Sequence, residues 1–151
     1  MKKITALLLA LMMAFTLLGC QSTTVNGVQF FVSKGGGDVD EVWIEEMSSE
    51  VYEEVELEVG VAVVLDYFKK HYGNSALWNV AYVGDENLET YKMAALRNGS
   101  DQVMAFSTVF NVTSAGENSS LVAGSVYSDY VFILAYLDDE WQVVSMVDEE
   151  E

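Results

Sequence analysis

Three runs of strand-forming residues follow one another in the C-terminal half of this chain, and they constrain its fold more than any other feature. Gln102 to Thr113 alternates, with Met104, Phe106, Phe110 and Val112 on one side and Val103, Ala105 and Val109 on the other. Val126 to Leu137 sets Tyr130, Phe132, Leu134 and Tyr136 against Val131, Ile133, Ala135 and Leu137, so its far end is apolar on both faces. Trp141 to Val147 is the third run, reached through a tight turn at Asp138-Asp139. Side chains of a strand alternate between faces. Strands joined by so short a turn are antiparallel neighbours. Ser114 to Gly124, between the first two runs, reads as a loop of small residues. The 151 residues contain no proline, so the turns must be built from Gly, Asn, Asp and Ser.

Helical patterning precedes the strands. Glu53 to Tyr72 has charge suited to a helix at both ends: Glu53, Glu54, Glu56 and Glu58 at the start, Lys69, Lys70 and His71 at the finish. Leu57, Val61, Val64, Leu65, Phe68 and Tyr72 recur at helical spacing, and Gly73 stands where a helix commonly stops. Val55 to Val59 also alternates like a strand, which leaves the helix start open. Ala76 to Val83 reads as a short strand. Asp85 to Asn98 reads as a second helix, with Asp85 as N-cap, Leu88, Tyr91 and Ala95 on one face, and Gly99 as its stop. Val39 to Glu45 suits a strand or a first helical turn equally. The pattern predicts an α+β domain: a long helix on a curved antiparallel sheet, with the helical layer segregated to one face. There is no internal repeat and no second-domain boundary.

The N-terminus has a different grammar. Lys2 and Lys3 precede an apolar run from Ile4 to Leu18, which ends in Leu17-Leu18-Gly19-Cys20. A short basic segment, an apolar core and a small residue before a cut make the pattern of an export signal. The run is short for a membrane span, which takes about 20 residues. Cys20 is the only cysteine in the chain, so internal disulfides and thiolate metal sites are excluded. Leu-Leu-Gly-Cys matches a lipobox, which predicts cleavage between Gly19 and Cys20 and lipid attachment at the Cys20 thiol. The alternative is a plain signal peptide or an uncleaved anchor, with Cys20 incidental. The expected organisation is a lipoprotein signal at 1–19, a lipidated cysteine and flexible tether at 20–37, and a single domain at 38–151. The tether ends in Gly35-Gly36-Gly37, and Val28 to Val32 inside it could form a short edge strand. The expected location is the extracytoplasmic face of the cell membrane, held by lipid.

Charge narrows the partners. The chain carries 7 basic and 24 acidic residues; Lys2 and Lys3 would leave with the signal, so the mature balance is 5 against 24, or −19. Nucleic-acid binding needs a basic footprint and is excluded. Anionic lipid heads should repel such a domain. No cofactor is implied. The partners implied are the membrane, through the N-terminal lipid, and a protein of the cell envelope; the ligand is not specified.

Few residues offer chemistry. His71 is the sole histidine, and without a second imidazole or a thiolate it makes no transition-metal site. Asp66 sits among Val63, Val64, Leu65, Tyr67 and Phe68, where burial could make a carboxylate basic; the favoured reading places it on the exposed stripe of its helix. Trp78, Tyr82, Tyr127, Tyr130, Phe132, Tyr136 and Trp141 could line a pocket or fill the core. Asp66, Tyr82 and Tyr130 are the candidate pocket residues, and no catalytic set is assigned.

Tyr52 to Tyr72 resembles the helix of small uncharacterised lipoproteins of Gram-positive bacteria. The segments Ser100 to Phe106, Val126 to Leu134 and Glu140 to Val144 are similar to their strands. Those proteins look like members of the cystatin-like, or NTF2-like, α+β class. The resemblance covers Val51 to Val147 and implies a fold; it carries over no activity, cofactor or catalytic residue. Asp148 to Glu151 departs from it, standing where an aromatic finish is usual. The function expected is a non-catalytic binding module on a lipid anchor. The alternative is a small-ligand carrier or an NTF2-like enzyme that uses the concave side of the sheet.

Overall fold

A computed structural model of the chain describes residues 37–113 and 121–148 in full, together with the backbone of two strands at 21–25 and 28–32. The segment expected as an export signal, with Gly19 and Cys20, most of the loop at 114–124 and the final acidic run lie outside the described residues. Strands β1 (Gln21–Val25) and β2 (Val28–Val32) pair antiparallel, with Gln21 opposite Val32. The segment expected as a tether therefore contains a two-stranded ribbon. Its last glycine, Gly37, belongs to the domain. Gly37 N–H donates to the carbonyl of Lys69 at 2.9 Å, and a Cβ there would meet the Phe68 carbonyl and ring at 2.8 Å.

The domain is an α+β fold with a five-stranded sheet and two helices. In chain order come β3 (Trp43–Ile44), α1 (Glu54–His71), β4 (Ser75–Tyr82), α2 (Leu88–Arg97), β5 (Val103–Val112), β6 (Val126–Leu137) and β7 (Glu140–Asp148). The strands lie in the order β3-β4-β5-β6-β7. All neighbours are antiparallel except β3 and β4, whose parallel pairing α1 makes possible as the crossover. Val39 to Glu45, ambiguous in sequence, contributes the short edge strand. Asp138 and Asp139 both adopt the left-handed conformation (φ 52° and 67°) and close the β6–β7 hairpin between Leu137 and Glu140.

The core has two sides, and the expectation that the helices segregate to one face is corrected. Leu57, Val61, Val64 and Phe68 of α1 pack on Val80, Met104, Phe106, Phe110, Phe132 and Leu134. Leu88, Tyr91 and Ala95 of α2 pack on the opposite face, against Val103, Ala105, Val131, Ile133 and Ala135. The reason is local: β5 and β6 are apolar on both faces over these stretches, and one helix can cover only one of them.

Extra residues occur once in each of three strands. The pairing slips at Trp78 in β4, at Ser128–Asp129 in β6 and at Val144 in β7. Asp129 takes up the strain with φ 56°. Such bulges bend a strand, increase its twist and switch side-chain parity beyond them. Parity switching lets Tyr127 join Tyr130 and Phe132 on the α1 side, with the Tyr127 ring stacked on Phe110 at 5.2 Å.

α1 begins at Glu53, whose N–H donates to the Glu56 carboxylate at 2.9 Å, the return half of a capping box. Its stop differs from expectation. Asn74 (φ 65°), not Gly73, takes the left-handed position, which Asn tolerates because of its short polar side chain. The end of α2 behaves as predicted. Gly99 (φ 90°) donates to the Leu96 carbonyl and Ser100 to the Ala95 carbonyl, each at 3.1 Å, forming a Schellman stop.

Gly60 marks the closest approach of α1 to the sheet. A Cβ there would meet Met104 Sδ at 2.5 Å and Phe106 Cζ at 2.6 Å, and both side chains are fully buried. Alanine would add about 1 kcal/mol of helix propensity, but overpacking costs about 1–3 kcal/mol. Urea denaturation should therefore find Gly60→Ala less stable than the parent. Gly73→Ala meets nothing within 4 Å and should be neutral or slightly stabilising. The reverse order would contradict this packing.

Candidate functional site

The space between α1 and the sheet is where a concave pocket would lie, and aromatic rings fill it. Phe68, Phe106, Phe110 and Phe132 are fully buried there. Phe68 stacks on Tyr72 at 4.7 Å, and Tyr72 meets Phe110 edge-on at 5.4 Å. The Tyr72 hydroxyl faces inward, 3.4 Å from the Tyr130 hydroxyl and 3.2 Å from Met146 Sδ. Burial, followed by the contact with Tyr130, holds the Tyr72 phenol far above its ordinary range. At the other end, Tyr52 lies edge-on to Trp141 at 5.6 Å and its hydroxyl donates to the Val103 carbonyl at 2.6 Å.

The three candidate pocket residues lie apart. Asp66 is on the exposed side of α1, its side chain 61% accessible, and accepts from Lys70 Nζ at 2.6 Å. It borders an open groove of about 620 Å³ between α1 and β7, with Val59, Val63, Tyr67, Trp141 and Val143. Tyr130 belongs to the aromatic filling just described. Tyr82, at the end of β4, lays its ring against Phe106 at 5.9 Å, while its hydroxyl reaches a separate polar cluster through Asp85. His71 is exposed and lies against the Tyr67 ring at 4.3 Å, while Lys69, expected beside it as a helix-end charge, is buried. Among the described residues, no group of three or more His, Cys, Asp and Glu side chains is placed to share a metal ion.

The densest polar arrangement lies at the end of β4, and sequence reasoning missed it. Asp85 was expected to cap α2. Instead Asp85 to Asn87 forms a short 3₁₀ turn, and the carboxylate turns back toward the segment before α1. Its Oδ1 accepts from Ser49 Oγ at 2.6 Å and from the Tyr82 hydroxyl at 2.8 Å; its Oδ2 accepts from the Glu50 N–H at 2.6 Å. Ser49 Oγ in turn accepts from the N–H groups of Val51 and Tyr52, each at 2.9 Å. An open cleft of about 640 Å³ runs beside this cluster, bounded by Glu46, Met47, Glu50, Gly84 and Glu86. The only sequence signal is a serine three residues ahead of Tyr52, a turn-forming position. Its partner lies 36 residues away and has no local trace.

Chemically, this cluster is a clasp. A nucleophilic serine needs a base free to take its proton. Here Asp85 is held below the usual carboxylate range by the Ser49 hydroxyl first, with the Glu50 N–H and Tyr82 hydroxyl assisting, so it is a weak base. Burial, then the bond to Asp85, pushes the Tyr82 phenol well up, so it remains a protonated donor. Every oxygen of the trio serves the geometry that fixes the start of α1. Compared with protein families, curated proteins and solved structures, the chain matches none at a significant level.

Asp85 binds its proton less readily in the folded protein than in the unfolded chain. Its stabilising contribution is therefore present above the ordinary carboxylate pKa of about 4 and is lost as pH falls through its lower folded value. Thermal melts of Asp85→Asn should lie below the parent at pH 7, with the gap narrowing toward pH 2. A gap that is constant across that range would remove the charged form from this account.

Proposed function

We propose that this chain is a lipid-anchored, non-catalytic interaction module on the extracytoplasmic face of the cell membrane, with a cystatin-like or NTF2-like arrangement of α1 and the strands β4 to β7. The observation that carries the non-catalytic reading is the closed interior: Phe68, Tyr72, Phe110, Tyr130 and Phe132 occupy the place where a ligand would enter between helix and sheet. A carrier or enzyme that uses the concave side of the sheet needs that space open. The clasp at Ser49, Tyr82 and Asp85 supports the same reading, since its groups are committed to each other. For the anchor, the support is sequence grammar: Lys2-Lys3, the apolar run and Leu17-Leu18-Gly19-Cys20, with no other cysteine in the chain. Two or more acyl chains on Cys20 would hold the domain stably, where one would be marginal. For the fold type, the support is the order of elements, a helix followed by antiparallel strands that wrap its apolar side. The placement of α2 on the opposite face is this chain's own departure.

Mass spectrometry of the mature N-terminus should find a diacylglyceryl group on Cys20 and no residue before it. A free thiol on a protein recovered from cytosol would overturn the anchor. Crosslinking on intact cells should yield a reproducible protein adduct, and its absence would count against an interaction module.

A further inference from the structure

The outer face of the sheet, opposite α1, is only half covered. α2 lies over Val103, Ala105, Val131, Ile133 and Ala135, and among the described residues no helix covers the rest of that face. Two tryptophans stand on the bare half. Ile44 faces the α1 core, so Trp43 beside it in β3 faces out, and it is 70% exposed. Leu77 and Val80 both face the α1 core with two residues between them, because the β4 bulge falls there; Trp78 and Asn79 are thus both turned outward, and Trp78 is 45% exposed. Trp43 is in register with Asn79, the residue after Trp78, so both tryptophans stand on the outer face at the β3 edge of the sheet. Asn79 Nδ2 donates to Glu45 Oε1 at 3.1 Å across the two strands.

Such a surface is uncommon on a monomer. Tryptophan is the residue most enriched where binding energy concentrates, and contiguous exposed apolar area marks an interaction site. What surrounds it decides the partner. Asp40, Glu41, Glu45 and Glu46 are exposed on the same short segment, and no lysine or arginine occurs from Gly37 to Phe68 or within β4. A second copy would bring identical carboxylates against these at a two-fold interface, on a chain that already repels itself. A partner with guanidinium groups meets both features at once. Its planar cation stacks on an indole face and pairs with carboxylates in bidentate fashion.

We propose that Trp43 and Trp78, rimmed by Asp40, Glu41, Glu45 and Glu46, form the docking surface for an arginine-rich protein segment. This deepens the interaction-module reading and rests on it. The contribution of the tryptophans is stacking and burial; that of the acidic rim is steering and a strong dependence on salt.

The test uses the full chain in detergent and a fluorescein-labelled peptide of alternating arginine and glycine, followed by anisotropy. The parent should bind, more weakly as salt rises, and Trp43→Ala/Trp78→Ala should weaken binding about tenfold or more. Because both side chains are exposed, the double variant should melt like the parent. Met93→Ala, on the exposed side of α2, should leave binding unchanged. Equal affinity of the double variant and the parent would reduce the effect to general charge and overturn the proposal. So would binding of an uncharged serine–glycine peptide as tight as that of the arginine peptide. Tryptophan-dependent binding of cellohexaose without binding of the arginine peptide would also overturn it, in favour of a neutral glycan. A photoreactive benzoylphenylalanine in place of Trp43 separates the two levels. A protein adduct on cells, with no affinity for the arginine peptide, would sink the partner chemistry and leave the interaction module standing.

Discussion

The pairing of β5 with β6 carries this domain. Over Val103 to Phe106 and Val131 to Ala135 the two strands present buried apolar side chains on both faces, without a break. A sheet built this way must be covered twice, and both helices take their positions from that need. α1 covers Met104, Phe106, Phe132 and Leu134; α2 covers Ala105, Val131 and Ile133. Each apolar side chain removed from water contributes about 1.5–3 kcal/mol, more than any of the exposed ion pairs, whose worth is about 1 kcal/mol or less. The Asp66–Lys70 and Glu89–Lys92 pairs are of that exposed kind.

Burial on both sides also explains why the polar contacts lie where they do. The interior leaves few places for polar groups: the Thr108 hydroxyl, fully buried, donates to the Tyr130 carbonyl at 2.7 Å, whereas Lys69 Nζ and Ser75 Oγ are buried without a hydrogen-bond partner. A group of short hydrogen bonds lies at the edge, where the segment from Ser49 to Tyr52 enters α1. Asp85 and the Val103 carbonyl hold that segment from two different elements. The start of α1 is thereby registered on the sheet, and Gly60 sets how closely the helix settles upon it. Aromatic rings then occupy the remaining volume. Trp43 and Trp78, by contrast, remain exposed on the outer face.

Much of this was legible in the residues and some was not. Period-two alternation located β5, β6 and β7 to within a residue or two, and the glutamates before Leu57 with the lysines after Phe68 located α1. The candidate site was not legible. Asp66 lay among apolar neighbours in sequence, but helical geometry puts it on the solvent side with Lys70. Tyr82 and Tyr130, both aromatic, both pack on the α1-side core, but only Tyr82 reaches Asp85. Asp85 had the form of an N-cap, yet three donors from elsewhere in the fold and from β4 outbid that local role. The bulges at Trp78, Ser128–Asp129 and Val144 were invisible because a single extra residue looks like any other until the neighbouring strand is in place.

The sequence by itself determined the elements and their order: the alternating strands, the helix with charge at both ends, the turn at Asp138-Asp139 and the stop at Gly99. These depend on neighbours within a few positions, where backbone sterics and periodicity act. Tertiary structure alone decided that the helices lie on opposite faces, that Ser49 clasps Asp85, that the hollow beneath α1 is filled, and that Trp43 and Trp78 share one bare surface. Each of those depends on segments far apart in the chain, as Ser49 and Asp85 are at 36 residues, or on a choice between two faces of a sheet. Such contacts form only when burial of the whole core outweighs the chain entropy of bringing distant segments together.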